Sequence, residues 1–596
     1  MTDKPRRVFW LGAGISIAAP TSLPAAPPLV GHWLNHLLPK KDAEYLLALY
    51  RDHKRLLDKP IPRLEKLVED AVAIFGEPVL ELLCIFRNRL PNANHRMVAD
   101  YLTQHRGWAV TTNFDTAIEV ATGGTLPVHT PMQDSTESWG LIKLHGSIDE
   151  ALPQLGHSIR NLVHGLAPHL ARRIGEALDQ ADGECVFAGY SSSDYFDVVP
   201  YFDAHKTRPF ATRALWIDHA PDVPHEATAD SLPEGAKRML AAFSAVRVLR
   251  GDTAIALATK LATDRLKGTS CPWWEGWEAR FAPKKWQQHL YAAKLYASLG
   301  IGRHSLNAAR LALASGAPDG MLMRQFIANG LRDCGRHSEE LAYRHNAAPP
   351  LNSAEEKLFW QRQEAAGLRL ARHSFASWRA YKRLVEELRQ CPHTEGALAD
   401  EQVWCLVEAA MLFRDGLLAL PRIGLLRPLA SYFKGRIRRL LDEARLRFPS
   451  SARNPHVLAL IHRMEFTLAH APGGLPAGYY YSLLRDGIQP PLRGADEQSF
   501  EPDSLYRETD SLLGMVNAAR DSAREHLARR RTTRPENHAL LCRLARRELL
   551  YSWRLAKLIE DRPGMTKACR MLVQLADGAG CRRLRGLARR YAARQE

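Results

Sequence analysis

Along the first 266 residues, short apolar runs alternate with stretches whose apolar residues recur at helical spacing. The runs are Val8–Leu11, Trp108–Thr112, Leu141–Leu144, Cys185–Ala188, Ala214–Ile217 and Val246–Leu249. Arg63–Phe75, His95–His105, Thr116–Ala121 and Ala167–Leu178 lie between them as helical segments. Strands separated by helices predict βαβ units and a mostly parallel sheet. Each run ends in a polar or glycine-bearing turn: Gly12-Ala13-Gly14, Asn113-Phe114-Asp115, His145-Gly146-Ser147, Gly189-Tyr190-Ser191, Asp218-His219 and Gly251-Asp252. In a doubly wound sheet the carboxyl ends of the strands line one crevice, where ligands bind. Six such turns therefore point to one binding edge.

The β pattern fades after Leu266. Gly268 to Pro283 holds Trp273, Trp274 and Trp277 beside Pro272 and Gly276, and reads as a packed connector. Amphipathic helices follow. Arg-His-Ser recurs at 303–305, 336–338 and 372–374, spaced by 33 and 36 residues. A period near 34 predicts helix–turn–helix repeats of the tetratricopeptide kind. The expected organisation is a domain over 1–270, a helical repeat region over 271–390 and a helical, Arg-rich region over 391–596. Loops are expected near Pro449–Pro455 and Ala471–Gly478, and a long loop or boundary over Gly487–Asp503.

Composition narrows the classes. At 596 residues, the chain exceeds what one hydrophobic core supports. A mean hydropathy of −0.28 describes a soluble globular protein, and no apolar run of about 18 residues predicts a membrane span. Lys4, Arg6 and Arg7 before Val8–Ala19 imitate a secretory signal, but Gly12 and Gly14 interrupt the run and it reads as a first strand. Nine scattered cysteines without a C-x-x-C pair argue against a zinc ribbon or disulfide framework and for a reducing cytoplasm. The net charge of +16 is concentrated late: residues 520–596 hold 20 Lys and Arg against 8 Asp and Glu. That end is expected to meet nucleic acid or an acidic partner, or to form a solvated helix face.

The strand ends carry the candidate chemistry. Gly12, Ala13, Gly14, Ile15 and Ser16 follow a buried strand at once, so backbone N–H groups are set to approach a pyrophosphate. Gly14 is expected to exclude a side chain for that reason, or because its dihedrals forbid one. The third glycine of the dinucleotide fingerprint is missing, and Ile17 takes its place. His145 at a strand end titrates near neutral pH, and Asn113 offers both donors and acceptors. In isolation Asn113 or Asp115 reads as a helix N-cap and His145 as a satisfied turn histidine. His32, His36, His157, His164 and His169 lack metal-ligand spacing and are read as surface or core side chains.

Taken in order, these motifs resemble the sirtuin family. GAGIS looks like its glycine loop, and Thr21-Ser22-Leu23-Pro24 stands where it has Ser-Gly-Ile-Pro. Pro91-Asn92-Ala93-Asn94-His95 resembles its Pro-x-x-x-His segment, and TTNFD (Thr111–Asp115) and KLHGS (Lys143–Ser147) its two catalytic strand ends. GYSSSD (Gly189–Asp194) is similar to its Gly-x-Ser loop, Trp216-Ile217-Asp218 to the ribose-side end and Arg250-Gly251-Asp252 to the adenine-side end. The resemblance covers about the first 260 residues. It implies a Rossmann-like domain that cleaves NAD+ at the nicotinamide–ribose bond. Asn113 and His145 would be catalytic. Gly12, Ala13, Gly14, Ile15, Ser16, Pro24, Thr112, Asp115, Gly189, Tyr190, Ser191, Asp194, Asp218 and Gly251 would hold the cofactor, with Asp115 on the nicotinamide carboxamide.

One departure from the protein-deacylating branch matters. Only 41 residues separate Ser147 from Gly189, and their single cysteine is Cys185, so the four-cysteine zinc module has no place and no zinc is expected. The chain thus resembles the sirtuin-like NAD+ hydrolases of prokaryotic anti-phage defence. That implies water as acceptor, a phage-derived protein or other infection trigger as partner, a homo-oligomer and a cytoplasmic location. The alternative is a sirtuin-like subunit whose basic C-terminal region binds nucleic acid or a partner such as a short argonaute. Deacylation is the less favoured reading.

Overall fold

The computed structural model describes residues 7–447, less short stretches of which 258–272 is the longest, residues 538–578, and isolated positions between them. The chain falls into two compact units. One is built from Met1–His36 and Leu64–Pro283; the other takes Leu37–Arg63 and the helices from Lys284 onward. The expected segments 271–390 and 391–596 thus contribute helices to one unit.

The first unit is α/β. Its strands are β1 (Arg7–Leu11), β2 (Trp108–Thr111), β3 (Val128–His129), β4 (Gly140–Lys143), β5 (Glu184–Ala188), β6 (Arg213–His219), β7 (His225–Ala227) and β8 (Val246–Gly251). They form one sheet in the order β3-β4-β2-β1-β5-β6-β8-β7. All neighbours are parallel except β7, which runs antiparallel to β8 at the edge. All six expected strands are present. The two additional ones escape pattern reading because they are two and three residues long and His225-Glu226-Ala227 has no apolar run.

The order places β1 in the middle because both its faces are apolar. Val8 and Trp10 join one core with the helices Pro168–Leu178, Val198–Asp203 and Glu234–Leu240. Phe9 and Leu11 join a second core with the helix Ala93–His105. Trp10 meets Phe202 at 5.0 Å and Phe9 meets Tyr101 at 5.2 Å, so each face is closed by an aromatic pair. A strand sandwiched in this way has no polar face to show, which explains its unbroken apolar run. The tryptophan connector also packs: Trp273 and Trp277 are buried, and the Trp277 indole donates to the Leu82 carbonyl at 2.9 Å. Trp274 is 53% exposed.

The second unit is helical among its described residues. Three successive helix pairs are Lys285–Leu299 with Gly302–Ala314, Met321–Asp333 with His337–Asn346, and Ala354–Leu370 with Ser374–Gln390. Each pair turns on one left-handed residue, Gly300, Gly335 and Arg372, with φ of 80°, 75° and 64°. The next residue's N–H then reaches back five residues: Ile301 to Tyr296, Arg336 to Leu331 and His373 to Leu368, at 2.8, 2.9 and 2.9 Å. This is a glycine-type helix stop satisfying late carbonyls.

These turns correct the repeat register. Measured from the left-handed residue, Arg303, Arg336 and Arg372 stand three, one and no residues along, so the Arg-His-Ser triplets are not equivalent. The equivalent positions five residues on are Ser305, Glu340 and Ser377, all buried. Ser305 donates to the Ala293 carbonyl and Ser377 to the Ala365 carbonyl, both at 2.9 Å. Glu340, a carboxylate with no proton to donate, instead accepts from Arg332 and Arg344. Small residues set the spacing between pairs. A Cβ on Gly330 would come within 2.8 Å of Leu306, and one on Gly367 within 2.9 Å of Leu341.

No described helix is long and apolar enough to cross a membrane. The expected loops at 449–455, 471–478 and 487–503 lie outside the described residues, as do His157 and His164.

Candidate functional site

Register brings the strand ends together. Leu11, Thr111, Lys143, Ala188 and Ile217 lie on one rung of the sheet, with Leu249 paired to Ile217 beyond them. One residue further, β1, β2, β4 and β5 end and the chain leaves the sheet at Gly12, Thr112, Leu144 and Gly189, whereas β6 and β8 stay paired through His219 and Gly251. The six expected strand ends therefore share an edge, although Asp218-His219, expected as a turn, is still paired strand at the end of β6.

The glycine loop is fastened to the Gly189 turn. Gly12 N–H donates to the Ala188 carbonyl at 3.1 Å and Gly14 N–H to the Gly189 carbonyl at 2.8 Å. A Cβ on Gly14 would stand 2.6 Å from Gly189 Cα, and one on Gly189 2.5 Å from Ile15 N, where φ is +62°. Gly14 itself has no left-handed dihedral. What excludes a side chain there within the protein is the neighbouring turn, not its own dihedrals. Gly251 is comparable: a Cβ would meet Pro224, in the segment leading into β7, at 2.5 Å.

Beneath the loop lies a chain of buried polar groups. Asn92 caps the helix Ala93–His105, and its amide reaches the Ile15 and Ala18 carbonyls at 2.8 and 3.0 Å. His95 Nδ1 accepts from Asn92 N–H, which leaves Nε2–H to donate to Ser16 Oγ at 3.0 Å. Ser16 in turn donates to Asp115 Oδ2 at 3.0 Å. Burial pushes His95 down to about 4, so the ring is neutral, as this relay requires. Asp115 Oδ1 accepts from Ala117 N–H at 3.1 Å. Both oxygens are thus engaged in anchoring the loop and starting the helix Ala117–Ala121. The structural role of Asp115 is visible; contact with a carboxamide is not needed to explain it.

Asn113 is half-buried, and its amide N–H groups reach the Gly12 carbonyl at 3.2 Å and Ser16 Oγ at 3.4 Å. Its Oδ1 has no protein partner among the described residues, and is the end left to accept from a ligand or water. Across β2 and β4, Lys143 laces the Asn113 and His145 turns together. Its buried ammonium donates to the Asp115 and Phe114 carbonyls at 2.7 and 3.2 Å, Glu119 Oε1 at 2.8 Å and Ser147 Oγ at 3.0 Å. Burial pushes the Glu119 carboxyl up, while Lys143 opposes that shift.

His145 is 5% exposed and its Nε2 lies 2.8 Å from Asp197 Oδ2. Asp197 also caps the helix Val198–Asp203, accepting from Val198 N–H at 2.8 Å. Ligand-type atoms of His145, Asp194 and Asp197 come within 4.8 Å of one another. Tyr190 donates to Asp194 at 2.5 Å. Each acid thus has a partner within the protein. Burial alone lowers the affinity of His145 for a proton, but Asp197, with Asp194 and Glu65 behind it, reverses this and raises its pKa to about 9. Burial raises Asp194 to about 6 against the pull of His145. A histidine expected to titrate near neutrality is therefore an imidazolium at pH 7.

The remaining expected residues divide. Ser191 and Ala13 are exposed at the edge, Ile15, Ser16 and Pro24 are buried, and Thr112 is half-buried. Tyr190 turns into the core, 6.2 Å from Trp10 and from Trp216. The Asp218 carboxylate lies 3.9 Å from Arg250. His32 packs on Trp273 at 4.9 Å, and His36 and His169 bond the Phe281 and Thr130 carbonyls. Sequence reasoning missed Asp197 and the role of Lys143. A helix-capping Asp before Val198-Val199-Pro200 was the signal for the first; an ionisable residue among apolar neighbours in a central strand was the signal for the second.

No protein-family model matches the chain, and no curated protein matches it.

Proposed function

We propose that the first unit is a Rossmann-like, sirtuin-like NAD+ hydrolase releasing nicotinamide and ADP-ribose. One observation carries the reading: the glycine loop, the Asn113 turn and the His145 turn leave adjacent parallel strands at one edge. Nicotinamide is cationic in NAD+ and departs neutral, so cleavage needs no general acid on the leaving group. It needs a positioned water and an acceptor for that water's proton. Asn113 Oδ1 is the group for orienting the water, and His145 the group for the proton. In the glycine loop the Gly12, Gly14 and Ile15 N–H groups are bonded within the protein, so the Ala13 N–H is the backbone donor assigned to the pyrophosphate.

In this reading the helical unit, as a tetratricopeptide-like array, senses an infection trigger and couples it to NAD+ depletion through a cytoplasmic homo-oligomer. Stacked helix pairs form extended surfaces suited to a protein ligand. The alternative, a sirtuin-like subunit binding nucleic acid or a partner protein such as a short argonaute, rests on the basic residues of 520–596, of which 521–522, 524–537 and 579–596 lie outside the described residues.

The test is release of nicotinamide and ADP-ribose by the purified full chain, with and without phage-infected extract. Asn113→Ala should lower turnover by about two to four orders of magnitude, the usual worth of a positioned catalytic group. Near-normal turnover by the folded variant would remove the site assignment, and absence of NAD+ cleavage under either condition would remove the reaction.

A further inference from the structure

We infer that Asp197 is a positioning residue: it holds the His145 ring through Nε2 and leaves Nδ1 as the nitrogen that exchanges a proton at the reaction centre. The inference rests on the NAD+ hydrolase reading and extends it to a residue that no motif singled out.

Two contacts fix His145. On the backbone side, Gly156 N–H donates to the His145 carbonyl at 2.8 Å, and Gly156 lies so close that a Cβ there would stand 3.0 Å from His145 Cβ. On the ring side is the 2.8 Å bond to Asp197 Oδ2. Asp197 is itself held, because its Oδ1 caps the helix Val198–Asp203. The carboxylate accepts only, so Nε2 carries a proton in both charge states of the ring. The nitrogen that gains or loses a proton is then Nδ1. The other ionisable groups acting on the ring are Asp194, beside Asp197, and Glu65, from the helix Leu64–Phe75. Tyr190 acts through its bond to Asp194. The Phe114 ring, 6.4 Å away, is the apolar neighbour on the Asn113 turn.

Water oxygen bonds to the ribose C1′, and the bond from C1′ to the nicotinamide nitrogen breaks, its electron pair neutralising the ring. The water proton passes to Nδ1 of neutral His145, which becomes imidazolium and later releases it to solvent. Because the pair with Asp197 favours the imidazolium, the competent neutral form is scarce at pH 7 and grows with pH. An amide at position 197 would supply an N–H to Nε2, reversing the tautomer and leaving Nδ1 protonated, as for an orienting carboxylate in a triad.

The test uses the full chain with two readouts. The first is the pH dependence of kcat/KM for NAD+ hydrolysis from pH 5.5 to 10 in wild type, Asp197→Asn, Asp197→Glu and His145→Ala. Wild type should rise about tenfold per pH unit and level near pH 9. Asp197→Asn should level at least about one unit lower and lose at least about tenfold in kcat on its plateau. Asp197→Glu should restore part of both. The second readout is imidazole nitrogen NMR of His145, which needs no turnover: Nε2 should stay protonated in wild type and lose its proton to Nδ1 in Asp197→Asn. If His145 titrates at the same pH with the same tautomer in both proteins, the inference is overturned whatever the activity. If the NMR shift occurs but His145→Ala turns NAD+ over normally, the hydrolase site has failed instead, and the inference as a statement about catalysis fails with it.

Discussion

Lys143→Met is the sharpest perturbation of the architecture under the site. The lysine side chain is fully buried in the central sheet, and its ammonium joins the Asn113 turn, the His145 turn and Glu119. Methionine matches its apolar stem but ends one atom short and leaves four acceptors without their donor. Removing one partner of a buried ion pair costs about 3–5 kcal/mol, because the remaining charge is stranded. The Glu119 side chain is 16% exposed, and burial already raises its carboxyl. It will therefore take up a proton in the variant, placing the loss near the lower bound, about 3 kcal/mol. Lys143→Met with Glu119→Gln removes the stranded charge and should recover about half or more of that loss. The assay is denaturant unfolding, with amide exchange in β2 and β4 reporting the first unit separately from the helical one. A single variant within about 1 kcal/mol of wild type, or a double variant no better than the single, would refute the argument.

Two other outcomes follow from buried charge. His145 has an unfolded-state pKa near 6.5 and a folded value raised to about 9, so its ion pair stabilises fully below pH 6.5 and is lost as pH rises through 9. First-unit stability should fall by up to about 1.4 kcal/mol per pH unit across that window, and Asp197→Asn should flatten the slope; a level wild-type profile from pH 7 to 9 contradicts this. In the helical unit, Glu340→Ala removes the carboxylate shared by Arg332 and the buried Arg344, leaving them only neutral acceptors on Gln363 and Asn329, and should cost about 3 kcal/mol in thermal or chemical unfolding, with Glu340→Gln recovering part. Equal stability of Glu340→Ala and wild type would show that the two arginines find other partners.

Local patterns made much of the fold legible. An apolar run such as Val8–Leu11 can be buried on both faces only as a central strand, and the helical periodicity of Pro168–Leu178 and Ala93–His105 needs no distant information. The glycine loop, the Asn113 turn and the His145 turn were readable for the same reason, since each is a short motif directly after a strand. What neighbouring residues could not encode is which groups meet across the sheet. Asp197 and His145 are 52 positions apart, Lys143 and Glu119 are 24, and Ser16 and Asp115 are 99. Those pairings raise the pKa of His145 and make Asp115 an anchor for the glycine loop. The repeat shows the same division. The Arg-His-Ser triplets suggested a period near 34 but misplaced the register, since the left-handed turns are spaced by 35 and 37 residues. Equivalence is decided by where the backbone turns left-handed, at Gly300, Gly335 and Arg372, and arginine can occupy that position as glycine does once the preceding helix and the packed pair around it hold the turn.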